Sequence, residues 1–261
     1  MKPKRSPPGP ALAAAILGLA AVASAFYFKP LPAMEDKSLL RSDSAVLVAP
    51  EGAGLVFAPA EPRQGASPKS TGLLVYGAER VPAEAYAYLA RACAAAGYTA
   101  ALVSMPLNFP ALAPSRGASV AAAHPSVARW VIAGHSQGGS AAASFAAANA
   151  SSKEPVAIAG LVLYSSYPGG GVDLSTKSLP VVTVGATLDA LCPPARIAAA
   201  GNRLPSGSRY VEIAGGNHAQ FGEYGPQAGD GLAEIPGPTQ RKAAVDEALA
   251  LLDAVDAGAG K

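Results

Sequence analysis

The chain has 261 residues, of which half are apolar, 15% charged and 6% aromatic; this much apolar surface excludes intrinsic disorder over most of its length. Two cysteines and three histidines exclude a disulfide scaffold or a cysteine-based zinc site and leave little for a histidine-rich metal centre. The net charge of +2 is uneven: Lys2, Lys4, Arg5 and Lys29 give the first thirty residues +4, and the remaining −2, without a Lys/Arg cluster, offers no footprint for nucleic acid.

In chain order, residues 1–10 are basic and proline-rich, and residues 11–28 carry no charge. A positive segment followed by an apolar one is the pattern read by the secretion machinery. Residues 1–29 therefore read as a signal anchor or a signal peptide. Small residues at Ala23-Ser24-Ala25 suit cleavage after Ala25, and the alanine richness favours it. The length, just enough to span a bilayer, and the early basic cluster favour an uncleaved anchor. In both cases Lys2, Lys4 and Arg5 stay cytoplasmic and the rest is exported. The expected location is the cell membrane with the domain outside the cytoplasm, or the exterior after cleavage.

Residues 30–42, with Pro30 and Pro32, read as a linker, and residues 43–257 as the globular domain. Two short strands are expected at 44–49 and 54–58 around a turn at Glu51-Gly52, then a Pro/Ser/Lys-rich loop at 60–71. From there strands and helices alternate. Strands are expected at 72–76, 98–104, 130–133, 156–164, 181–184 and 210–213. Helices are expected at 82–96, 118–124, 139–150, 194–200 and 240–254. Apolar strand runs separated by helices imply an α/β fold whose parallel sheet is covered on both faces, made mixed by the two antiparallel strands at its front.

The run Gly134-His135-Ser136-Gln137-Gly138 is a G-x-S-x-G pattern. Alone it is weak in a glycine-rich chain, but here a buried strand precedes it and a helix follows, the context in which it forms a nucleophile elbow. The glycines permit a sharp strand-to-helix turn that lifts the Ser136 hydroxyl to the carboxyl edge of the sheet. The Gln137 amide then points into the same space from the helix N-terminus.

A serine nucleophile needs a base, and the base needs an orienting acid. His124 precedes Pro125 before the nucleophile strand, and the side chain of His135 leaves the elbow in another direction. His218, in the loop Gly215-Gly216-Asn217-His218 after the last strand, is the candidate base. Asp189 follows the strand at 181–184 and is the candidate acid, with Asp173 as its competitor. The order Ser136, Asp189, His218 is that of an α/β-hydrolase.

At this point the sequence resembles the α/β-hydrolases, specifically the small bacterial fold-5 group, from about residue 72 to 254. The resemblance is carried by Gly72-Leu73-Leu74-Val75-Tyr76-Gly77, Met105-Pro106-Leu107-Asn108, Gly134-His135-Ser136-Gln137-Gly138-Gly139 and Gly215-Gly216-Asn217-His218-Ala219-Gln220-Phe221-Gly222, continuing to Gly229-Asp230-Gly231. It implies the same triad and an α/β-hydrolase fold, and such proteins often carry an N-terminal membrane segment. It also implies a Gly-rich turn followed by a basic residue after the strand at 72–76, where this chain has Gly77-Ala78-Glu79-Arg80. An amide from Ala78 or Glu79 is the expected partner of Gln137 in holding an oxyanion, because only the N–H is needed.

Only residues 165–180 separate the strands between which many α/β-hydrolases insert a lid, so no cap domain is expected. An open site favours accessible or short-acyl esters, with the loop 217–238 as a candidate wall and Tyr76, Asn108 and Phe221 as candidate lining residues or packing. Cys93 and Cys192 are expected at opposite edges of the sheet, too far apart to bridge. The expected activity is serine-dependent hydrolysis of a carboxylic ester through an acyl-enzyme, without metal or organic cofactor. The substrate would be a small acyl compound, and the membrane the partner of residues 11–28. An acyltransferase or peptidase on the same fold, or a non-catalytic envelope binding protein, stands as the alternative.

Overall fold

The computed structural model describes residues 29–32, 36–61, 69–150 and 156–258. The uncharged stretch 11–28 and most of the loop expected at 60–71 lie outside the described residues. The chain divides into Met1–Pro30 and Leu31–Lys261, and the fold described below is that of the second unit.

Eight strands form one sheet: β1 (Val46–Glu51), β2 (Gly54–Pro59), β3 (Thr71–Tyr76), β4 (Thr99–Val103), β5 (Arg129–His135), β6 (Ile158–Tyr164), β7 (Val181–Ala186) and β8 (Arg209–Ile213). Their spatial order is β1-β2-β4-β3-β5-β6-β7-β8. β1 and β2 pair antiparallel, as do β2 and β4; all later pairs are parallel. Among the described residues the α-helices are α1 (Ala87–Ala95), α2 (Gly117–Ala122), α3 (Gln137–Asn149), α4 (Pro194–Ala199) and α5 (Gly237–Gly258). The mixed, mostly parallel sheet is the α/β architecture that the alternating sequence pattern implies.

Successive residues of a strand face opposite sides, and here both sides are apolar. Leu73, Val75, Val131, Ala133, Val162 and Tyr164 pack with Leu89, Cys93, Ala248 and Leu252 of α1 and α5. Leu74, Tyr76, Trp130, Ile132, Leu161 and Leu163 pack with Val120, Ala142 and Phe145 of α2 and α3. The strands are therefore near-continuous apolar runs, as a doubly covered parallel sheet requires.

Some boundaries differ from the sequence pattern. β1 starts at Val46 because the Asp43 carboxylate accepts the N–H groups of Ala45 and Val46, holding a turn there. The helix expected at 82–96 starts as a 3-10 turn, Ala83–Tyr86, before α1. Of the expected linker, Leu31, Leu39 and Leu40 pack against the α1/α5 core, and Arg91 donates to the carbonyl of Arg41. No helix of the described residues is long and apolar enough to cross a membrane. Between β6 and β7 there are turns only, so no lid is inserted there.

Candidate active site

The carboxyl edge of the sheet concentrates backbone strain. Five non-glycine described residues have positive φ, and all lie in loops after β3 to β6: Arg80, Leu107, Asn108, Ser136 and Ser165. Each such conformation costs about 1–3 kcal/mol and persists only where the surroundings enforce it. The adjoining loops after β7 and β8 carry Asp189 and His218.

Ser136 joins β5 to α3 with φ 54° and ψ −124°. The turn closes because its neighbours lack side chains. A Cβ on Gly134 would stand 2.5 Å from the carbonyl oxygen of Gly138, and one on Gly138 would collide with the carbonyl oxygen of Gly77. The Ser136 N–H donates to the carbonyl of Tyr164 at 3.0 Å, and the Ser166 hydroxyl donates to the Ser136 carbonyl at 2.6 Å. Ser136 itself is half-buried and Gln137, opening α3, is exposed.

Asp189 and His218 are in contact, with Oδ2 and Nδ1 2.8 Å apart, and are only 3% and 1% exposed. Asp189 Oδ1 also accepts the N–H groups of Leu191 at 2.9 Å and Cys192 at 2.6 Å. Burial pushes this carboxyl up, but the hydrogen bond and charge of His218 and the backbone N–H of Cys192 outweigh it and hold the group below its ordinary value. The Nε2 atom of His218 is buried without a partner. A buried orphan of this kind calls for an explanation, and here it is the one ring atom left to meet a hydroxyl or substrate. No hydrogen bond joins it to Ser136; such bonds are often long in ligand-free enzymes and tighten with substrate. Asp173, the competing acid, is exposed and caps the N–H of Ser175.

The loop carrying His218 is held by side chains that sequence reasoning gave no role. The Asp230 carboxylate accepts the N–H groups of His218 (3.2 Å), Ala219 (2.8 Å) and Gly231 (2.8 Å). Gln240 of α5, fully buried, accepts the N–H of Asn217 at 3.0 Å and donates to its carbonyl at 2.7 Å. Asn217 Nδ2 donates to the carbonyl of Gly231 at 2.7 Å.

His135 leaves the elbow in a different direction from Ser136, and that direction leads back to His218. The two rings lie 4.5 Å apart, and Nδ1 of His135 is 2.8 Å from the Tyr86 hydroxyl. The missed signal was strand parity, since Val131, Ala133 and His135 share one face of β5. Burial, then the neighbouring His218, hold His135 well below its usual pKa, so it stays neutral.

The Ala78 N–H, an expected oxyanion donor, is already donated to the Tyr86 hydroxyl at 3.0 Å. Glu79 and Arg80 follow, both half-buried. Of the three candidate lining residues, two are core. Tyr76 faces α2, its hydroxyl donating to the carbonyl of Pro114 and accepting from Gly117 N–H. Phe221 packs against Tyr164 and His135. Asn108 is half-buried and lines a small recess with Gly77, Ala78 and Met105.

A cavity of about 700 Å³ is lined by Pro32, Asp36, Asn217, Gln220, Gln227 and Arg241, among others, so the loop 217–238 does form a wall. None of Ser136, Asp189 and His218 lines it, and volume alone does not make it the reactive site. Among the described residues no group of His, Cys, Asp or Glu could hold a metal ion. Cys93 and Cys192 are both free and buried, and burial with the charge of Asp189 pushes the Cys192 thiol up to about 12, a poor nucleophile.

Comparison with known proteins agrees with this architecture. No curated protein matches the chain. Among solved structures, the dienelactone hydrolase of Anabaena variabilis is similar, at 18% identity and a TM-score of 0.59, over 79% of this chain and 97% of that one. At this identity the likeness shows a shared fold. A family model described as the alpha/beta hydrolase family matches residues 72–242, which spans β3 to α5 and includes the elbow, the Asp189 turn and the His218 loop. Covering more than half of the sequence, that match establishes that the chain belongs to the alpha/beta hydrolase family.

Proposed function

We propose that this member of the family is a serine carboxylesterase working through Ser136, His218 and Asp189. The observation that carries the reading is the buried Asp189–His218 pair, with Nε2 of the imidazole left unpaired, in a loop at the same sheet edge as a strained serine. Bound to Asp189, Nδ1 keeps the proton and Nε2 is the base.

In this reading Nε2 takes the Ser136 proton as Oγ attacks the acyl carbonyl. The Gln137 amide and one from residues 77–80 hold the oxyanion. Ala78 serves only if its N–H leaves the Tyr86 hydroxyl; Glu79 is the other donor. The ester C–O bond then breaks, and His218 returns its proton to the departing alcohol. Water attacks the acyl-enzyme, giving its proton to Nε2; collapse releases the acid and restores the Ser136 hydroxyl. Throughout, Asp189 stays ionised and stabilises the imidazolium.

In the same reading residues 11–28 tether the protein to the cell membrane with this domain outside the cytoplasm, and the substrate is a small acyl compound. Rapid-quench hydrolysis of p-nitrophenyl esters tests the chemistry. The expected result is a burst of about one nitrophenol per enzyme with an acyl adduct in the intact mass, both lost in Ser136→Ala. Hydrolysis that survives Ser136→Ala would refute it.

A further inference from the structure

The loop after β4 is unusual for a protein surface. Residues 105–114 read Met-Pro-Leu-Asn-Phe-Pro-Ala-Leu-Ala-Pro, ten residues without a charge. Exposed loops are normally polar. Here Leu107 is 66% and Leu112 60% exposed, while Phe109 and Pro110 between them are buried and fix the loop to the domain. Leu107 is also held at φ 54°, a conformation unfavourable for a branched side chain. The chain thus spends conformational energy to present a leucine to water. Covering both leucines with something apolar would recover free energy.

The position of the loop bears on what could cover it. Its Asn108 carbonyl accepts the N–H of Arg80 at 2.7 Å, and the Arg80 carbonyl accepts the N–H of Leu31 at 2.8 Å. Leu31 is the first residue of the domain, so the chain enters the domain at this cluster of loops. The uncharged stretch 11–28 ends three residues earlier in the sequence. The turn Pro110–Leu112 packs on α3, the helix that Ser136 opens. Leu232, 91% exposed, stands in the loop after β8. Leu232 lines the cavity that Pro32 and Asp36 also line, next to where the chain enters the domain.

We infer that Leu107 and Leu112 dock into the lipid bilayer that holds the N-terminal segment, and that the substrate is an ester dissolved in that bilayer. This rests on the esterase and anchor readings above. It also accounts for the missing lid: the lipid surface covers the site and delivers an acyl chain alongside Ser136. A second protein as occupant would leave unexplained why the chain enters the domain beside the leucines.

Two measurements on the full chain, reconstituted in phosphatidylcholine vesicles, test this. Trp130 is the chain's single tryptophan and is buried, so Leu112→Trp adds a reporter at the loop. With dibrominated phosphatidylcholine, the added emission should fall by about half while Trp130 keeps its own, as expected for an indole at the acyl boundary. An added emission that is not quenched overturns the docking, whatever the enzyme hydrolyses. The second variant, Leu107→Asn with Leu112→Gln, keeps a residue tolerant of positive φ at 107. It should lose about tenfold or more in hydrolysis of a vesicle-dissolved fluorogenic diacylglycerol, yet stay within about twofold of wild type on p-nitrophenyl acetate. Equal losses on both esters, or none, overturn the substrate assignment. A wild-type enzyme inert toward both esters refutes the esterase reading and with it that assignment, and the quenching still decides the docking.

Discussion

The elbow and the His218 loop meet where the rings of His135 and His218 lie 4.5 Å apart, yet they are held by opposite means. The elbow is fixed by what is missing: backbones at Gly134, Gly138 and Gly77 approach so closely that a single methyl group has no room. The His218 loop is fixed by what is present, the Asp230 carboxylate, the Asn217 side chain and the Gln240 amide. A steric lock fails abruptly when filled, whereas a polar clamp fails by degrees as bonds are removed. In the esterase reading proposed above, the steric lock would present Ser136 rigidly and the polar clamp would let His218 close on it when substrate arrives.

The largest expected effect lies where the two regions meet chemically. Asp189→Asn should lower kcat by about 10⁴ with little change in urea midpoint, because the amide can occupy the same place but favours the wrong imidazole tautomer. A comparable loss of fold stability would mean that Asp189 acts as a structural anchor. Next comes Gly138→Ala, which forces a Cβ against the Gly77 carbonyl. It should cost about 3 kcal/mol, lower Tm by about 10 °C, and erase activity; a variant with unchanged Tm and activity would break the steric side of the comparison. Gln240→Leu removes both bonds to Asn217 and leaves a buried N–H and carbonyl unpaired, a loss of about 1–3 kcal/mol in denaturant unfolding. Activity should fall several-fold, with kcat affected more than KM, as the base loses its position.

The smallest effect is a slope in pH. Folded His135 stays neutral where the unfolded chain takes up a proton, below the ordinary value of 6.5. The unfolded state then binds more protons, so stability falls as pH drops below about 6.5, by at most about 1.4 kcal/mol per unit. Asp189, held low in the folded state, adds its own loss only as pH falls below about 4. Urea midpoints between pH 8 and 5 should show the first slope, and His135→Gln should flatten it. An unchanged slope in that variant would assign the proton uptake to another group.

Much of this was legible in the sequence because it is local. The elbow is a contiguous run whose glycines have a steric reason, and the order of strands and helices follows from alternating apolar runs. The contact of Asp189 with His218 was legible because each follows a strand at the carboxyl edge. What stayed hidden depends on contacts between distant segments. The His135–His218 approach needs both the parity of β5 and the path of the loop after β8. The Tyr86 hydroxyl takes the Ala78 N–H only because the helix expected at 82–96 opens as a 3-10 turn. The clamp by Gln240 comes from a helix that gives no local hint of its partner. Tyr76, open as lining or packing in the sequence, falls to packing because its parity with Leu74 sends it to the α2 face.

The central claim is that Asp189 and His218 activate Ser136. The most direct measurement is the intact mass of the full chain in mild detergent after treatment with a fluorophosphonate. The account predicts one adduct per chain, none in Ser136→Ala, and much slower labelling in Asp189→Asn. A folded wild-type protein that takes no label, or a Ser136→Ala variant that labels as the wild type does, would contradict it.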